Sequence, residues 1–330
     1  MKYDLDRNTV KKRLTMSKTA LYLFVIGILI SSCTKEVEID IPGYEETIVI
    51  DGRIETGQPP VVFLSTSKEV YAPTNVEAFL NGYISGATIS VSNGTSTVVL
   101  DEICSGNLTP AMAQIVSEML GIDVSLLSVY NICAYTTLDP TVWGEVGKTY
   151  TLSVTNEGKT YTGETSILAP TPLVTSYWLP EPGTPNHGYS WCTLADPPNQ
   201  FDGYFWEANI IGYGNGNTTW ADTGFEPTFS PAFDDTFFDG LTFDFWYENP
   251  FAYGSTPDEF RGFYEMGDTV VIKLSKIDNT AYEFYEKKYI QLQTAGNPFA
   301  TPTNIPNNLS NGALGIWAGF SPSLDTLICQ

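Results

Sequence analysis

Asp234, Asp235 and Asp239 place three carboxylates within six residues, just ahead of Gly240. That density suits a hard cation such as calcium, which takes about six to eight oxygen ligands. The spacing departs from an EF-hand loop and lacks its closing Glu. The competing and commoner role of such a run is a turn in which Asp side chains bond their own backbone, here anchored by Phe233, Phe237 and Phe238. Two carboxylate pairs, Asp202 with Glu207 and Asp244 with Glu248, have the residue types of a glycosidase acid and nucleophile. An acid-rich chain supplies such pairs by chance, so glycoside hydrolysis stands only as an outlying alternative. Trp206, Tyr213 and Trp220 surround a Gly/Asn-rich loop and are candidates to stack on a sugar ring or touch a protein partner. Core packing competes for most of them.

Other chemistries are poorly served. His187 is the single histidine, which removes most His-based zinc sites and makes any Ser-His or Cys-His machinery depend on one residue. It sits among Pro185, Asn186 and Gly188 and reads as a loop residue. Gly212-x-Gly214-x-Gly216 lacks the following helix and Lys of a phosphate loop. The 330 residues carry 16 Lys and Arg against 38 Asp and Glu, a formal charge of −22. Nucleic-acid affinity comes from basic side chains neutralising phosphates, so DNA and RNA are not expected partners. The chain is expected to have no enzymatic activity.

The amino terminus reads as an address. Basic residues from Lys2 to Lys18 precede an apolar run, Ala20 to Ile30, which ends in Ser31-Ser32-Cys33. The run has the length of a signal-peptide core and is too short to span a bilayer, which takes ~20 residues. Ile30-Ser31-Ser32-Cys33 resembles a bacterial lipobox, so Cys33 is expected to carry diacylglycerol and an N-acyl chain as the first mature residue. Met16-Ser-Lys-Thr followed by the apolar run already makes a complete leader, and Met16 is the alternative start to Met1. Thr34 to Asp40 then forms an acidic tether. It resembles the signal that sends Bacteroidota lipoproteins to the outer face of the outer membrane; a merely solvated linker is the alternative.

Assigning Cys33 to lipid leaves Cys104, Cys133, Cys192 and Cys329. An exported chain meets an oxidising compartment, so two disulfides are expected from three possible connectivities. The preferred pairing is Cys104 with Cys133, which bracket a distinct insertion, and Cys192 with Cys329, which join the ends of the carboxy-terminal half.

Short β-rich runs surround these positions. Thr47–Ile54 and Val61–Ser65 flank Gly57-Gln-Pro-Pro60; Ala87–Ser92 and Ser96–Leu100 flank Asn93-Gly94; Thr149–Val154 and Thr160–Thr165 flank Asn156-Glu-Gly158. Each reads as a hairpin. The insertion has helical periodicity instead: Met112, Ile115, Val116, Met119 and Leu120 after Pro110, then a second short helix through Val124–Tyr130. Its apolar stripe is expected to pack on the first sandwich, with a partner-binding face as the alternative. Pro-rich 167–173 looks like a junction. Beyond it, Thr269–Leu274 is the clearest strand, and Thr280-x-x-Glu283 reads as a capping box opening a helix with Tyr282, Tyr285, Tyr289 and Leu292 on its apolar face.

Several of these stretches together resemble the Bacteroidota lipoproteins grouped as domain of unknown function 4249. They are Cys33 with its tether and Ile39-Asp-Ile-Pro42, Gly52, Gly57-Gln-Pro-Pro60, Gly147–Leu152, Phe233–Gly240, Gly267-Asp-Thr-Val270, Asn297-Pro-Phe299 and Asn311–Trp317. The resemblance implies an outer-membrane lipoprotein facing the cell exterior. It also implies an outer-membrane β-barrel partner such as a TonB-dependent transporter, and it carries over no catalytic residue. The expected chain is therefore mostly β. A signal peptide (1–32) and acidic tether (33–41) precede an immunoglobulin-like antiparallel sandwich (42–168) with a helical insert (105–132). A second aromatic-rich β domain (169–330) carries one helix. The expected role is a non-enzymatic accessory subunit docked on the barrel, with glycan or peptide capture as the alternative.

Overall fold

The computed structural model describes residues 45–330 apart from 69–79, 111–112, 114–123, 131, 215–223, 253–255, 295–296, 298–300 and 302–303. The leader, Cys33, the tether and Trp220 therefore lie outside the described residues.

Alternation sets the first strands. In β1 (Ile48–Glu55) the even positions Ile48, Ile50 and Ile54 are buried, while Val49, Asp51, Arg53 and Glu55 point to the other face. β2 (Val61–Thr66) returns antiparallel, matching Ile50 with Leu64 and Gly52 with Val62. β3 (Thr88–Ser92) and β4 (Thr97–Val99) turn at Asn93-Gly94, where Asn93 Oδ1 accepts from the backbone N–H groups of Thr95 and Ser96. β5 (Asp101–Cys104) pairs with β6 (Cys133–Thr136), and β7 (Thr149–Asn156) with β8 (Lys159–Ser166). Glu157 and Gly158 between β7 and β8 both have positive φ, as a two-residue hairpin turn with matching twist requires. All three expected hairpins are present.

The second half supplies β9 (Leu173–Glu181), β10 (Thr184–Ala195), β11 (Gly203–Gly212), β12 (Glu226–Asp234), β13 (Thr242–Tyr247), β14 (Tyr264–Glu265), β15 (Thr269–Ile277) and β16 (Leu314–Ile328). Three sheets result. One has eight strands, β12-β11-β15-β16-β1-β2-β6-β5; one has four, β4-β3-β7-β8; in the third, β10 pairs with β9, β13 and β14. β16 joins the halves by changing partner. Its residues 314–320 run parallel to β1, and its residues 321–328 run antiparallel to β15.

This strand corrects two expectations. The parallel β1–β16 pair makes the large sheet mixed, so the β-sandwich layering is not wholly antiparallel and no immunoglobulin topology is established. The expected boundary at 168/169 also cuts through a shared sheet, and Glu46–Gln330 forms one compact unit. The physical reason is Trp317, a fully buried side chain from the second half that completes the core of the first. Its indole N–H donates to the Tyr150 carbonyl at 2.9 Å. Gly52 makes room for it, since a Cβ there would stand 2.6 Å from Trp317 Cε3.

Two cores lie on one face of the eight-stranded sheet. The first packs Ile50, Ile54, Val62 and Leu64 against Ile89, Val91, Leu152 and Val154 of the four-stranded β4-β3-β7-β8 sheet. The second packs Trp206, Ala208, Ile272 and Leu274 against Trp178, Leu194 and the aromatics of β13. Each fully buried large apolar side chain contributes about 1.5–3 kcal/mol, which is why alternation along these strands dictates their register.

Helix α2 (Asn279–Gln293) covers part of the opposite face, burying Ala281, Phe284 and Tyr285 against Phe205, Ile316, Ala318 and Phe320. Its N-cap is Asp278, whose Oδ1 accepts from the Ala281 N–H, and not the expected Thr280 box. Asp278 Oδ2 also accepts from the Thr165 hydroxyl at 2.8 Å, tying the helix start to β8. Leu292, expected on the apolar face, is exposed. In the insert, α1 (Val124–Val129) places Leu127 with Leu80 and Ile132 beside Phe63 and Tyr83. The whole preceding Met-bearing stripe, Met112, Ile115, Val116, Met119 and Leu120, lies outside the described residues.

Candidate functional site

The face of the eight-stranded sheet that α2 leaves open holds a cleft of about 740 Å³. Its wall from β1 and β2 is the set of residues that alternation turns away from the sandwich: Val49, Asp51, Arg53, Glu55, Val61 and Phe63. The facing wall comes from Phe205 and Glu207 of β11 and from Tyr285, Lys288 and Tyr289 of α2. Tyr83 also lines it. Aromatic walls around a few placed polar groups are the usual make-up of a binding cleft.

Three of its lining charges, Arg53, Glu55 and Glu207, meet one another and Lys273 of β15. Glu207 stands opposite Lys273 in the β11–β15 register. Arg53 donates to Glu207 Oε2 at 3.1 Å and to Glu55 Oε2 at 2.9 Å, and Lys273 Nζ reaches Glu55 Oε2 at 2.7 Å. The guanidinium also lies 4.0 Å above the Phe320 ring. Burial alone would push the Glu207 pKa up, but Arg53 and Lys273 outweigh it and hold the carboxyl below the usual range. Burial likewise opposes the Arg53 charge, and Glu207 and Glu55 overcome it, so its pKa lies above the ordinary value. Glu226, half-buried nearby, is shifted the other way, by burial first and then by the Glu207 charge. It is not among the residues that line the cleft.

A model of the family described as a domain of unknown function (DUF4249) matches residues 34–323. The chain belongs to that family. No curated protein matches it.

In this DUF4249 member the residues singled out in the sequence are scattered. Cys104 and Cys133 stand opposite each other in the β5–β6 register and are joined by a disulfide. Cys192 and Cys329 are instead buried free thiols, which corrects the expected second bridge. Both lie in the aromatic core of the second half, where apolar packing fills the space around them. Trp206 is fully buried and stacks on Tyr247 at 4.7 Å, so it is a core residue and not a partner contact. Tyr213 lies with His187, Asn249 and Phe260 around a smaller cleft of about 240 Å³, and the His187 ring stacks on Phe260 at 4.1 Å. Burial, then Asp268, pushes the Tyr213 hydroxyl up to about 12.

The carboxylate pairs separate as well. Asp202 is engaged by Lys276 at 2.6 Å and Glu207 by Arg53 and Lys273, on opposite sides of the sheet's outer strands. Asp244, exposed on β13, accepts from the Thr193 hydroxyl. Of the Asp triplet, Asp235 and Asp239 come together, but Asp234 turns away and accepts from the Thr236 hydroxyl at 2.6 Å. Asp196 takes its place. Sequence reasoning missed Asp196 and the Arg53–Glu55 arm of the cleft. The second was signalled by the charged odd positions of β1; the first carried no local signal.

Proposed function

We propose that this protein is a lipid-anchored, surface-exposed outer-membrane subunit without catalytic activity, docked on a barrel protein such as a TonB-dependent transporter. The observation that carries the reading is the cleft floor. Glu55 and Glu207 each have cationic partners within the protein, so neither is placed as a proton donor, and the site suits holding a segment of another molecule. Phe63, Tyr83, Tyr285 and Tyr289 supply aromatic area of the kind that interface cores use. An acyl anchor on Cys33 fixes the body at the membrane and raises its local concentration near the barrel, so a modest interface suffices. Affinity purification of the full chain from its native host in mild detergent tests this. A co-purifying barrel protein is the expected result; recovery of the chain alone overturns it.

The size and aromatic lining of the cleft favour a second reading, capture of a glycan or peptide. Binding of the mature chain to a glycan or peptide array, lost on Tyr289→Ala, separates capture from docking.

A further inference from the structure

A second polar assembly stands at the end of the edge strand β12. Asp196 directly follows β10, and Asp235 directly follows the edge strand β12. Together with Asp239 they bring three carboxylate oxygens within 4.8 Å of one another. Asp196 and Asp235 are only 5% and 4% exposed, while Asp239 opens to solvent. Among the described residues, no Lys or Arg forms an ion pair with any of the three. The nearby Lys276 is engaged by Asp202 and Thr171.

A crowd of acids is not in itself a site, and Asp235 supplies the independent observation. Its Oδ2 is buried and has no hydrogen-bond partner. A buried acceptor left so costs about 1–3 kcal/mol, and more when charged, unless something not present in the chain itself satisfies it. The other oxygens are oriented from outside. Asp196 accepts from the Tyr204 hydroxyl at 2.6 Å and the Gly240 N–H at 3.0 Å, and Asp239 accepts from the Asn199 N–H at 2.7 Å. Hydrogen bonds of this kind hold ligating carboxylates in place around an ion.

We infer that Asp196, Asp235 and Asp239 bind a calcium ion. Calcium–oxygen distances are about 2.3–2.6 Å, so two oxygens on one ion stand at most ~5 Å apart, and the three carboxylates meet that limit. Three negative groups with no cation of their own match a divalent charge, and access through Asp239 leaves room for water to complete the shell. The ion clamps the connection after β10 to the turn after β12. It thereby fixes the edge of the sheet beside the tilted, contacting rings of Phe233, Phe238 and Phe243.

The test uses the full mature chain, stripped with chelator and titrated with calcium chloride alone. One calcium per chain is expected, with Kd on the order of 10⁻⁴ to 10⁻³ M as in extracellular modules. At about ten times Kd the thermal midpoint should rise by roughly 3 °C. Asp239→Asn should abolish both responses. Asp235→Asn should abolish them too while folding at least as well without calcium, because the substitution removes an unpaired buried charge. No heat and no midpoint shift in the wild-type chain at 10 mM calcium overturns the proposal, as does a response that survives in both variants. An equal response to magnesium overturns the assignment to calcium.

Discussion

Glu207 Oε2 lies 3.1 Å from Arg53 Nη2, across 154 residues of chain. Lys273 on the adjacent strand contacts Glu207 as well, and Arg53 and Lys273 both also contact Glu55. Removing one partner of a buried pair leaves the others uncompensated, which costs roughly 3–5 kcal/mol. Glu207→Gln should fall at the lower end of that range, because Glu55 stays to hold both cations. A urea midpoint within experimental error of wild type would show that the ion set contributes nothing to the body.

The same carboxyl predicts a pH dependence. Its folded pKa lies below the unfolded value, so the unfolded chain takes up the proton first as pH falls. The contribution is fully present above the unfolded carboxyl pKa and is lost as pH drops through the folded one. Between about pH 6 and pH 3 the wild-type thermal midpoint should therefore fall more than that of Glu207→Gln. Parallel curves would contradict the depressed pKa.

Cys104 and Cys133 close a loop with a sequence separation of 29. The chain-entropy model gives such a cross-link roughly 3.5 kcal/mol, through the unfolded state. Replacing both with Ala should lower the denaturant midpoint by a corresponding amount while leaving the far-UV circular dichroism of the folded chain intact, since β5 and β6 also pair through their backbones. An unchanged midpoint would mean that the pair is not bonded in the protein.

Cys192 and Cys329 should be inert thiols. Burial, then Asp268, pushes Cys329 up to about 12, and burial, then Asp325, pushes Cys192 higher still. The thiolate is the reactive form, so iodoacetamide at about pH 8 should leave both unmodified in the native chain. Unfolding without reductant should then expose two titratable thiols. Finding none would show that the two sulfurs are bonded to each other.

What the sequence reveals here follows the range of the interaction. The three hairpins are legible because period-two alternation and turn residues such as Asn93-Gly94 and Glu157-Gly158 act within a few positions. The parallel pairing of β1 with β16 is not, since neither strand carries a local mark of a partner more than 250 residues away. The same limit governs the sites. Glu207 stood out as a carboxylate, but beside Asp202, which lies just before β11 and pairs with Lys276 instead. Its true partner Arg53 is set by the sheet order. Asp235 and Asp239 were legible as a pair, whereas Asp196 joins them only because the ends of β10 and β12, strands of two different sheets, come together. The helix cap moved by two residues, because Asp278 is the stronger acceptor at the point where the chain leaves β15.

The envelope anchor on Cys33 is tested most directly by intact-mass and peptide mass spectrometry of the chain isolated from its native host. The predicted result is a mature protein that begins at Cys33 and carries diacylglycerol on its sulfur and an acyl chain on its amino group. A protein with an unmodified Cys33, or with the leader still attached, would contradict both the anchor and the barrel partnership built on it.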